Sequence, residues 1–329
     1  MTHTRQLSLM HVAAAVGAAF MALPDSARAD VAKDFPTKPI RLVVAQSAGS
    51  QTDNIARIMA QKMSENWGKP VVVDNRPGAG GTLAASVIAK AAPDGYTLLL
   101  TSATFAIAAA LQLNLPFDPI KDFAGVSQIG YSTGVLVAAP TLGAKSVKDL
   151  IALAKAQPGK FIYASGGAGN TSHLNGEKFR LAAGIKVVNV AFKSGSDGLI
   201  ETLAGRTHYS FVGLPPALPF ITTGKLQALA VTTPQRAPNL PDVPTLAETL
   251  PGFSHEGAYG LLAPAKTPAP VLNRIGKEVA RIMNLPDVRE KMQVGGFAPA
   301  TSTPGEYNKS LRENIEALSK LVLAIGLRK

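Results

Sequence analysis

Short apolar runs alternate along this chain with longer segments whose apolar residues recur at helical spacing. The first run is Ile40–Ala45, and Thr52–Trp67 after it has the pattern of a helix with one buried face. Further strands are predicted at Val71–Asp74, Tyr96–Leu100, Ala124–Ile129, Gly134–Ala138, Phe161–Ala164, Val187–Val190, Tyr209–Val212, Leu226–Val231 and Glu256–Leu262. Further helices are predicted at Thr82–Ala91, Phe105–Leu111, Val147–Ala156, from near His173, and at Asp197–Ala204. This alternation predicts an α/β fold with mostly parallel sheets flanked by helices.

Three of these strands end in a loop of small polar residues that leads directly into a helix. The loops are Ala45–Asn54, Ser165–Ser172 and Phe192–Ser196. A helix start has unpaired N–H groups and about half a positive charge, so it can hold an anion. For one such loop, an ordinary capped turn is the simpler interpretation. The repetition favours three helix starts that converge on one anion.

The last part of the chain, after the proline-rich link Pro234–Pro244, predicts one strand and then only helices. Their buried faces contain Val271, Leu272, Ile275, Val279 and Ile282, and then Tyr307, Leu311, Ile315, Leu318, Val322 and Ile325. A helical tail that returns to the first domain implies two crossings of the chain. We therefore expect residues 30–131 and 256–329 to form domain 1, and residues 132–255 to form domain 2.

The N-terminus has the pattern of a secretory signal peptide. Arg5 precedes the apolar stretch Leu9–Leu23, and Ala27-Arg28-Ala29 offers small residues for cleavage after Ala29. The apolar stretch is short for a membrane span, and a retained anchor is the alternative. Residues 1–29 are therefore expected to be removed on export to the periplasm.

Composition narrows the choice of partner. The net charge of +11 favours anionic partners, but the basic residues form no long run and aromatics are only 6% of the chain. No stripe or stacking platform for nucleic acid is therefore expected. The absence of cysteine excludes disulfides and thiolate metal sites. The glycines at Gly78–Gly81 do not fit a nucleotide fingerprint, and no cofactor or metal is expected.

One catalytic motif is present, because Gly130-Tyr131-Ser132-Thr133-Gly134 matches GxSxG. A nucleophile elbow needs a helix directly after the serine, whereas the residues that follow here predict a strand. The histidines after the signal segment are His173, His208 and His255, and only chain order recommends His255 as a triad member. A serine esterase is therefore the alternative, and a receptor without catalytic groups is the main interpretation.

Four stretches of the sequence resemble the Bug/TctC family. They are FPTKPIRLVV, VVVDNRPGAGGTLAASVIAKAAPDGYTLLL, LQALAVTTPQRAPNLPDVPTLAE and GLLAPAKTPAPVLNRI, in matching order across the chain. Members are extracytoplasmic receptors of tripartite tricarboxylate transporters. The resemblance implies a two-domain periplasmic-binding-protein (Venus flytrap) fold that closes on a carboxylate and delivers it to a membrane permease. It also implies that the loops at 47–52 and 165–172 clamp the carboxylate through backbone amides. A monomer is expected, and a sensor that reports to a signalling partner is a further alternative.

Departures from the family pattern bear on the ligand. The usual PYKG is Ala191-Phe192-Lys193-Ser194 here, and Val212 stands where relatives often have an acid. Loss of that acid removes a partner for a ligand ammonium group. A dicarboxylate with an apolar or aromatic middle is therefore expected, unless Phe192 and Val212 are core residues.

The residues expected to bind the ligand come from all three loops and from four other positions. They are Ser47, Ala48, Gly49, Ser50, Gln51, Thr52, Asp53, Ser102, Phe105, Ser165, Gly169, Asn170, Thr171, Ser172, His173, Phe192, Lys193, Ser194 and Val212. Lys193 could attract an anion or be a solvated surface lysine, and His173 could cap its helix or form a wall of the site.

Overall fold

The computed structural model describes residues 34–111, 114–253 and 257–328, so the signal segment, His255 and the second crossing near residue 255 lie outside the described residues. The strands are β1 Ile40–Val44, β2 Val71–Asn75, β3 Thr97–Thr101, β4 Phe123–Ser132, β5 Gly134–Ala138, β6 Phe161–Ser165, β7 Val187–Ala191, β8 Tyr209–Gly213, β9 Gln227–Val231, β10 Ala258–Pro264 and β11 Phe297–Pro299. The helices are α1 Gln51–Trp67, α2 Thr82–Ala89, α3 Ala103–Leu111, α4 Val147–Ala156, α5 Thr171–Ala183, α6 Gly195–Leu203, α7 Leu214–Thr222, α8 Ala269–Met283, α9 Pro286–Val294 and α10 Pro304–Ala324.

The strands form two sheets, each covered by helices, which confirms the predicted two-lobed α/β fold. The six-stranded sheet of lobe 1 has the order β11-β4-β10-β3-β1-β2, and the five-stranded sheet of lobe 2 has the order β7-β6-β8-β5-β9. In lobe 1, β1 to β4 run in one direction while β10 and β11 oppose them. In lobe 2 only β5 opposes the other strands of its sheet.

The reversed strands β5 and β10 follow the places where the chain changes lobe. β4 ends at Ser132, and after Thr133 the chain starts β5 in the other sheet. The amide of Ser132 donates to Gly257 O at 3.1 Å, and the amide of Thr133 donates to Gly296 O at 2.8 Å. Because the first strand after a crossing runs away from the junction, the carboxyl ends of the parallel strands in both lobes face the same cleft.

Each sheet has an apolar cluster on both faces. In lobe 1, α1 and α8 pack on one face, while α2, α3 and α10 pack on the other. In lobe 2, α4 and α5 cover one face, and α6 and α7 cover the other. Leu174 of α5 in lobe 2, only 1% exposed, packs within the cluster formed by α3 and α10 of lobe 1. The two lobes are therefore in direct apolar contact.

The structure corrects the sequence prediction at two elements. The segment that begins at Leu214 forms helix α7, which the sequence analysis did not predict because it contains Pro215, Pro216 and Pro219. Proline suits the first turn of a helix, where its missing N–H is not needed. The prediction that only helices follow residue 262 was wrong, because β10 extends to Pro264 and Phe297–Pro299 adds an edge strand beside β4.

Within the described ranges, no helix is long and apolar enough to cross a membrane.

Candidate functional site

A cavity of about 360 Å³ lies between the lobes, where the carboxyl ends of the strands meet. Lobe 1 and the crossing contribute Ser102, Ala103, Thr104, Ser132, Gly134, Gly257 and Tyr259. Lobe 2 contributes Asn170, Thr171, Ser172, Asn175, Gly195, Phe211, Val212, Gly213 and Thr232. The starts of α3, α5, α6 and α7 therefore all reach this cavity.

The start of α5 has free donors. Asn170 caps the helix, because its Oδ1 accepts from the amide of His173 at 2.9 Å and from Ser172 Oγ at 2.8 Å. Ser172 Oγ in turn accepts from the amide of Gly166 at 2.9 Å. The amides of Thr171 and Ser172 donate to no group in the part of the chain that the structure describes. An anion at this point could accept both N–H groups.

Close packing holds this second loop in place. A Cβ on Gly166 would be 2.5 Å from the amide nitrogen of Gly195, so only glycine allows the second and third loops to approach so closely. Gly169 has φ +77° and lies against Leu111 of lobe 1. Its amide donates to His173 Nδ1 at 3.1 Å.

His173 supports the loop as a neutral acceptor. Burial lowers the pKa of His173, and the opposing effect of Glu177 is smaller. The ring nitrogen that accepts from Gly169 cannot carry a proton at the same time. His173 therefore shapes the loop beneath the cavity, which it does not itself line.

The lobe 1 wall is a small hydroxyl network at the start of α3. Gln46 Nε2 donates to Ser102 Oγ at 3.1 Å and to Thr104 Oγ1 at 2.9 Å. The two hydroxyls are 3.1 Å apart. Gln46 Oε1 is buried without a partner among the described residues. Both hydroxyls line the cavity, so they are available to a ligand.

Tyr259 of β10 connects the cavity to the first loop. Its hydroxyl donates to Gln51 Oε1 at 2.8 Å, and the side chains of Thr52 and Ser132 also approach it. Burial raises the pKa of Tyr259, so the hydroxyl keeps its proton. Gln51 and Thr52 are thus in contact with a cavity residue without lining the cavity themselves.

The rest of the first loop is organised around Asp53. Its carboxylate accepts from the amide of Gly49, from Arg57 Nε and from Asn75 Nδ2, each at 2.9 Å. Ser50 caps the helix by accepting from the amide of Asp53. Ser47, Ala48 and Gly49 are exposed and, like Ser50 and Asp53, do not line the cavity.

Several other predicted residues also lie outside the cavity lining. Phe105 packs against Phe117 and Phe123 in the lobe 1 core, and Ser165 donates to Asn189. In the third loop Ser194 caps α6 and Lys193 is exposed, so only Gly195 reaches the cavity. The predicted residues that do line it are Ser102, Asn170, Thr171, Ser172 and Val212.

The sequence analysis missed the other lining side chains. Thr104, Ser132, Phe211, Thr232 and Tyr259 lie on strands that border the cleft or shortly after them. Asn175 lies one helical turn after Thr171 and on the same face of α5, and that i, i+4 spacing could have identified it. Asn175 and Thr232 are both 3% exposed.

The cavity lining consists of neutral residues. No aspartate, glutamate, lysine, arginine or histidine occurs among the described residues that line the cavity. Positive potential in the cavity therefore comes from helix starts and neutral donors. The starts of α3, α5 and α7 have no acid in their first turn, whereas α1 has Asp53 and α6 has Asp197.

The esterase alternative lacks the necessary geometry. Ser132 is followed directly by strand β5 instead of a helix. His173 Nδ1 and His208 Nδ1 accept from the backbone amides of Gly169 and Ile162. His255 is outside the described residues.

Two sheets joined by crossing strands around a central cavity define a protein of the periplasmic-binding-protein class. The chain belongs to the family described as "Tripartite tricarboxylate transporter family receptor", whose profile matches residues 55–327. Members of this family bind solutes and are not enzymes, and its solute-binding proteins are periplasmic.

Three solved structures show the similarity. The periplasmic binding protein BugD is 30% identical, with a TM-score of 0.67, covering 90% of this chain and 100% of its own. Rpa4515 of R. palustris, solved with adipate, is 30% identical with a TM-score of 0.70, covering 89% and 98%. MatC (Rpa3494) from Rhodopseudomonas palustris, solved with bound malate, is 30% identical with a TM-score of 0.65, covering 88% and 100%.

Proposed function

We propose that this receptor captures a small dicarboxylate with an apolar middle in the cleft and delivers it to the membrane subunits of a tripartite tricarboxylate-type transporter. The observation that carries this proposal is the convergence of four helix starts, three of them without an acid in the first turn, on one cavity whose described lining has no charged side chain. Such a site attracts anions through fixed dipoles and backbone amides.

One carboxylate is placed at the start of α5. There the amides of Thr171 and Ser172 are free within the described chain, and the hydroxyls of Ser102 and Thr104 face the same cavity. Charge-assisted hydrogen bonds of this kind contribute roughly 1.5–3 kcal/mol each. The apolar middle of the ligand would lie against Ala103, Phe211 and Val212.

The lining disfavours amino acids. A ligand ammonium group taken from water needs an opposing carboxylate or several strong acceptors. No acid lines the cavity in the described chain. Val212, which stands where relatives often have an acid, is among the lining residues. Simple dicarboxylates such as adipate and malate, which Rpa4515 and MatC hold, meet no such cost.

Capture is coupled to closure of the lobes. Leu174, two residues beyond the donor Ser172, is buried against lobe 1, and Leu111 of lobe 1 contacts Gly169. A ligand that binds both walls favours the closed form by its differential affinity for that form.

We also propose that the receptor is a monomer. Its first lobe would comprise residues 30–131 and 256–329, and its second lobe residues 132–255. The chain would be exported and cleaved after Ala29.

A thermal-shift and calorimetry panel on the exported chain, residues 30–329, tests this function. The panel contains succinate, malate, adipate, citrate, benzoate, glutamate and aspartate. A ligand at 100 times its dissociation constant stabilises the folded protein by about 2.7 kcal/mol. Stabilisation by a simple dicarboxylate and not by the amino acids supports the proposal. Stabilisation by glutamate or aspartate alone would contradict it.

A further inference from the structure

Two buried polar side chains in the cavity lining have no hydrogen-bond partner among the described residues. Asn175 Oδ1 and Thr232 Oγ1 are both inaccessible to solvent and unpaired, and each residue is 3% exposed. Asn175 is in the interior of α5 in lobe 2, and Thr232 directly follows β9 in the same lobe. Both line the cavity between the lobes.

An unpaired buried polar group of this kind lowers the stability of the folded protein. Leaving a buried donor or acceptor unsatisfied costs about 1–3 kcal/mol, and most buried side-chain polar atoms in proteins have a partner. Asparagine also has a lower helix propensity than alanine. Asn175 Oδ1 therefore gains no hydrogen bond from α5 or from the lobe 2 core, and the cavity that the residue lines is where its amide can be satisfied.

We infer that Asn175 and Thr232 bind the second carboxylate of the ligand. This inference rests on the proposed function and specifies which end of the dicarboxylate lobe 2 recognises. A half-turn of the Asn175 amide presents Nδ2 in place of Oδ1, and the Thr232 hydroxyl can rotate. Both groups can therefore donate to a carboxylate.

The spacing along α5 agrees with a short dicarboxylate. The free amides that receive the first carboxylate belong to Thr171 and Ser172, and Asn175 is one turn further along the helix, about 5.4 Å. Two carboxylates separated by a few methylene groups span such a distance. A monocarboxylate of the same chain length would leave Asn175 and Thr232 unsatisfied.

The inference separates stability from affinity. Replacing Asn175 with alanine removes a buried amide with no partner, so ligand-free N175A should melt at a temperature equal to or above that of the unmodified protein. The same change should weaken binding of the best dicarboxylate about tenfold or more. A purely structural asparagine would show the opposite pattern, with a lower melting temperature and unchanged affinity.

Calorimetry on residues 30–329 provides the test. The probes are succinate and adipate, each paired with the monocarboxylate of equal chain length, butyrate or hexanoate. In N175A and in T232V we expect the dicarboxylate to lose about tenfold in affinity and the monocarboxylate to change less than twofold. N284A replaces an exposed asparagine at the end of α8, and its affinities should match those of the unmodified protein.

The outcomes separate the two proposals. If the unmodified protein binds no carboxylate, the proposed function fails and this inference fails with it. If it binds a dicarboxylate that N175A and T232V bind equally well, only the inference is overturned. Equal losses of affinity for the dicarboxylate and the monocarboxylate would also overturn the inference, because the two residues would then not be binding the second carboxylate. Should N175A not fold, T232V alone decides between these outcomes.

Discussion

The starts of α1 and α5 follow the same pattern of strand, small polar loop and helix, yet they are used differently. In the α1 loop the carboxylate of Asp53 accepts from the amide of Gly49 and from two side chains, so the loop contains its own anion. In the α5 loop a neutral Asn170 caps the helix, and the amides of Thr171 and Ser172 have no partner in the described chain.

If the α5 start binds the ligand as proposed, this difference implies that a helix start can serve as a ligand site when its donors are not already satisfied from within. An acid in the first turn complements the helix dipole and stabilises the helix, but it also occupies the position that an external anion would take. An acid in the first turn can be recognised in the sequence. The helices α1 and α6 have one, whereas α3, α5 and α7 do not.

The largest expected effect comes from giving α5 the acid that α1 has. Thr171→Asp places a negative charge at the proposed position of the ligand carboxylate, so dicarboxylate affinity should fall about 100-fold or more while the helix keeps its stability. Calorimetry and thermal melting measure the two quantities. Ser196→Asp adds the same charge to the exposed first turn of α6, where Asp197 is already present, and should change affinity less than threefold. An equal effect of both variants would remove the distinction between the helix starts.

A second large effect is expected at the contact beside the α5 start. Leu174→Ala removes a side chain that is buried against lobe 1, and such truncations cost about 2–5 kcal/mol in a packed core. Because the contact joins the lobes, the truncation should destabilise the closed form relative to the open form. Dicarboxylate affinity should therefore drop about tenfold. Leu181→Ala on the same helix is the matched control, since Leu181 is 45% exposed. Unchanged affinity in Leu174→Ala would show that this contact does not support closure.

Asp53→Asn tests the α1 loop and should affect stability more than binding. Burial acts to raise the pKa of Asp53, but hydrogen bonds from Arg57, Gly49 and Asn75 outweigh it and hold the pKa below the usual value. A lowered carboxylate pKa contributes stability above the unfolded value of 3.8, and that contribution is lost as pH falls through the folded pKa.

We therefore expect Asp53→Asn to lower the free energy of unfolding at pH 7 by about 1–3 kcal/mol, with less than a threefold change in affinity. Asp287→Asn, which breaks a surface pair with Lys62, should cost much less, because exposed ion pairs contribute little to stability. Denaturant melts at pH 7 and pH 3 measure both variants. A cost for Asp53→Asn no larger than that for Asp287→Asn would contradict the organising role of Asp53.

The smallest effect is a pH dependence from His173. Burial lowers its pKa from 6.5, so as pH falls below that value the unfolded chain binds a proton that the folded chain does not. Stability therefore decreases with falling pH until the folded pKa is passed. Protonation of the folded chain removes the acceptor for the Gly169 amide, so affinity should weaken a few-fold as pH falls through the folded pKa of His173. His173→Gln should abolish this slope, and a slope unchanged in the variant would assign it to another group.

The sequence pattern predicted most of the fold because strands and helices in both lobes have regular apolar spacing. It failed at α7, where prolines occupy the first helical turn, and at β11, which has three residues and pairs only with the edge of β4. Both elements depend on tertiary packing that local spacing does not encode.

The candidate site was predicted less completely. The α5 start was among the predicted residues because cap and helix are contiguous, and it lines the cavity together with Ser102 and Val212. That these residues bind a ligand stays a prediction. Tyr259 and Thr232 were missed, since their place in the cavity depends on how the two lobes face each other. Asn175 was also missed, although its i, i+4 spacing from Thr171 puts both residues on one face of α5. Whether Ser47–Ser50 contact a ligand stays a prediction, as they lie outside the lining described above.

The uncharged cavity lining has a consequence for unloading. Three of the four helix starts at the cavity belong to lobe 2, and one belongs to lobe 1. If the cargo binds as proposed, opening of the lobes would withdraw the α3 start and the hydroxyls of Ser102 and Thr104 together, while the cargo would keep its contacts with α5. Because no charged side chain lines the described cavity, release would then need neither a competing counter-ion nor a proton, only separation of the lobes.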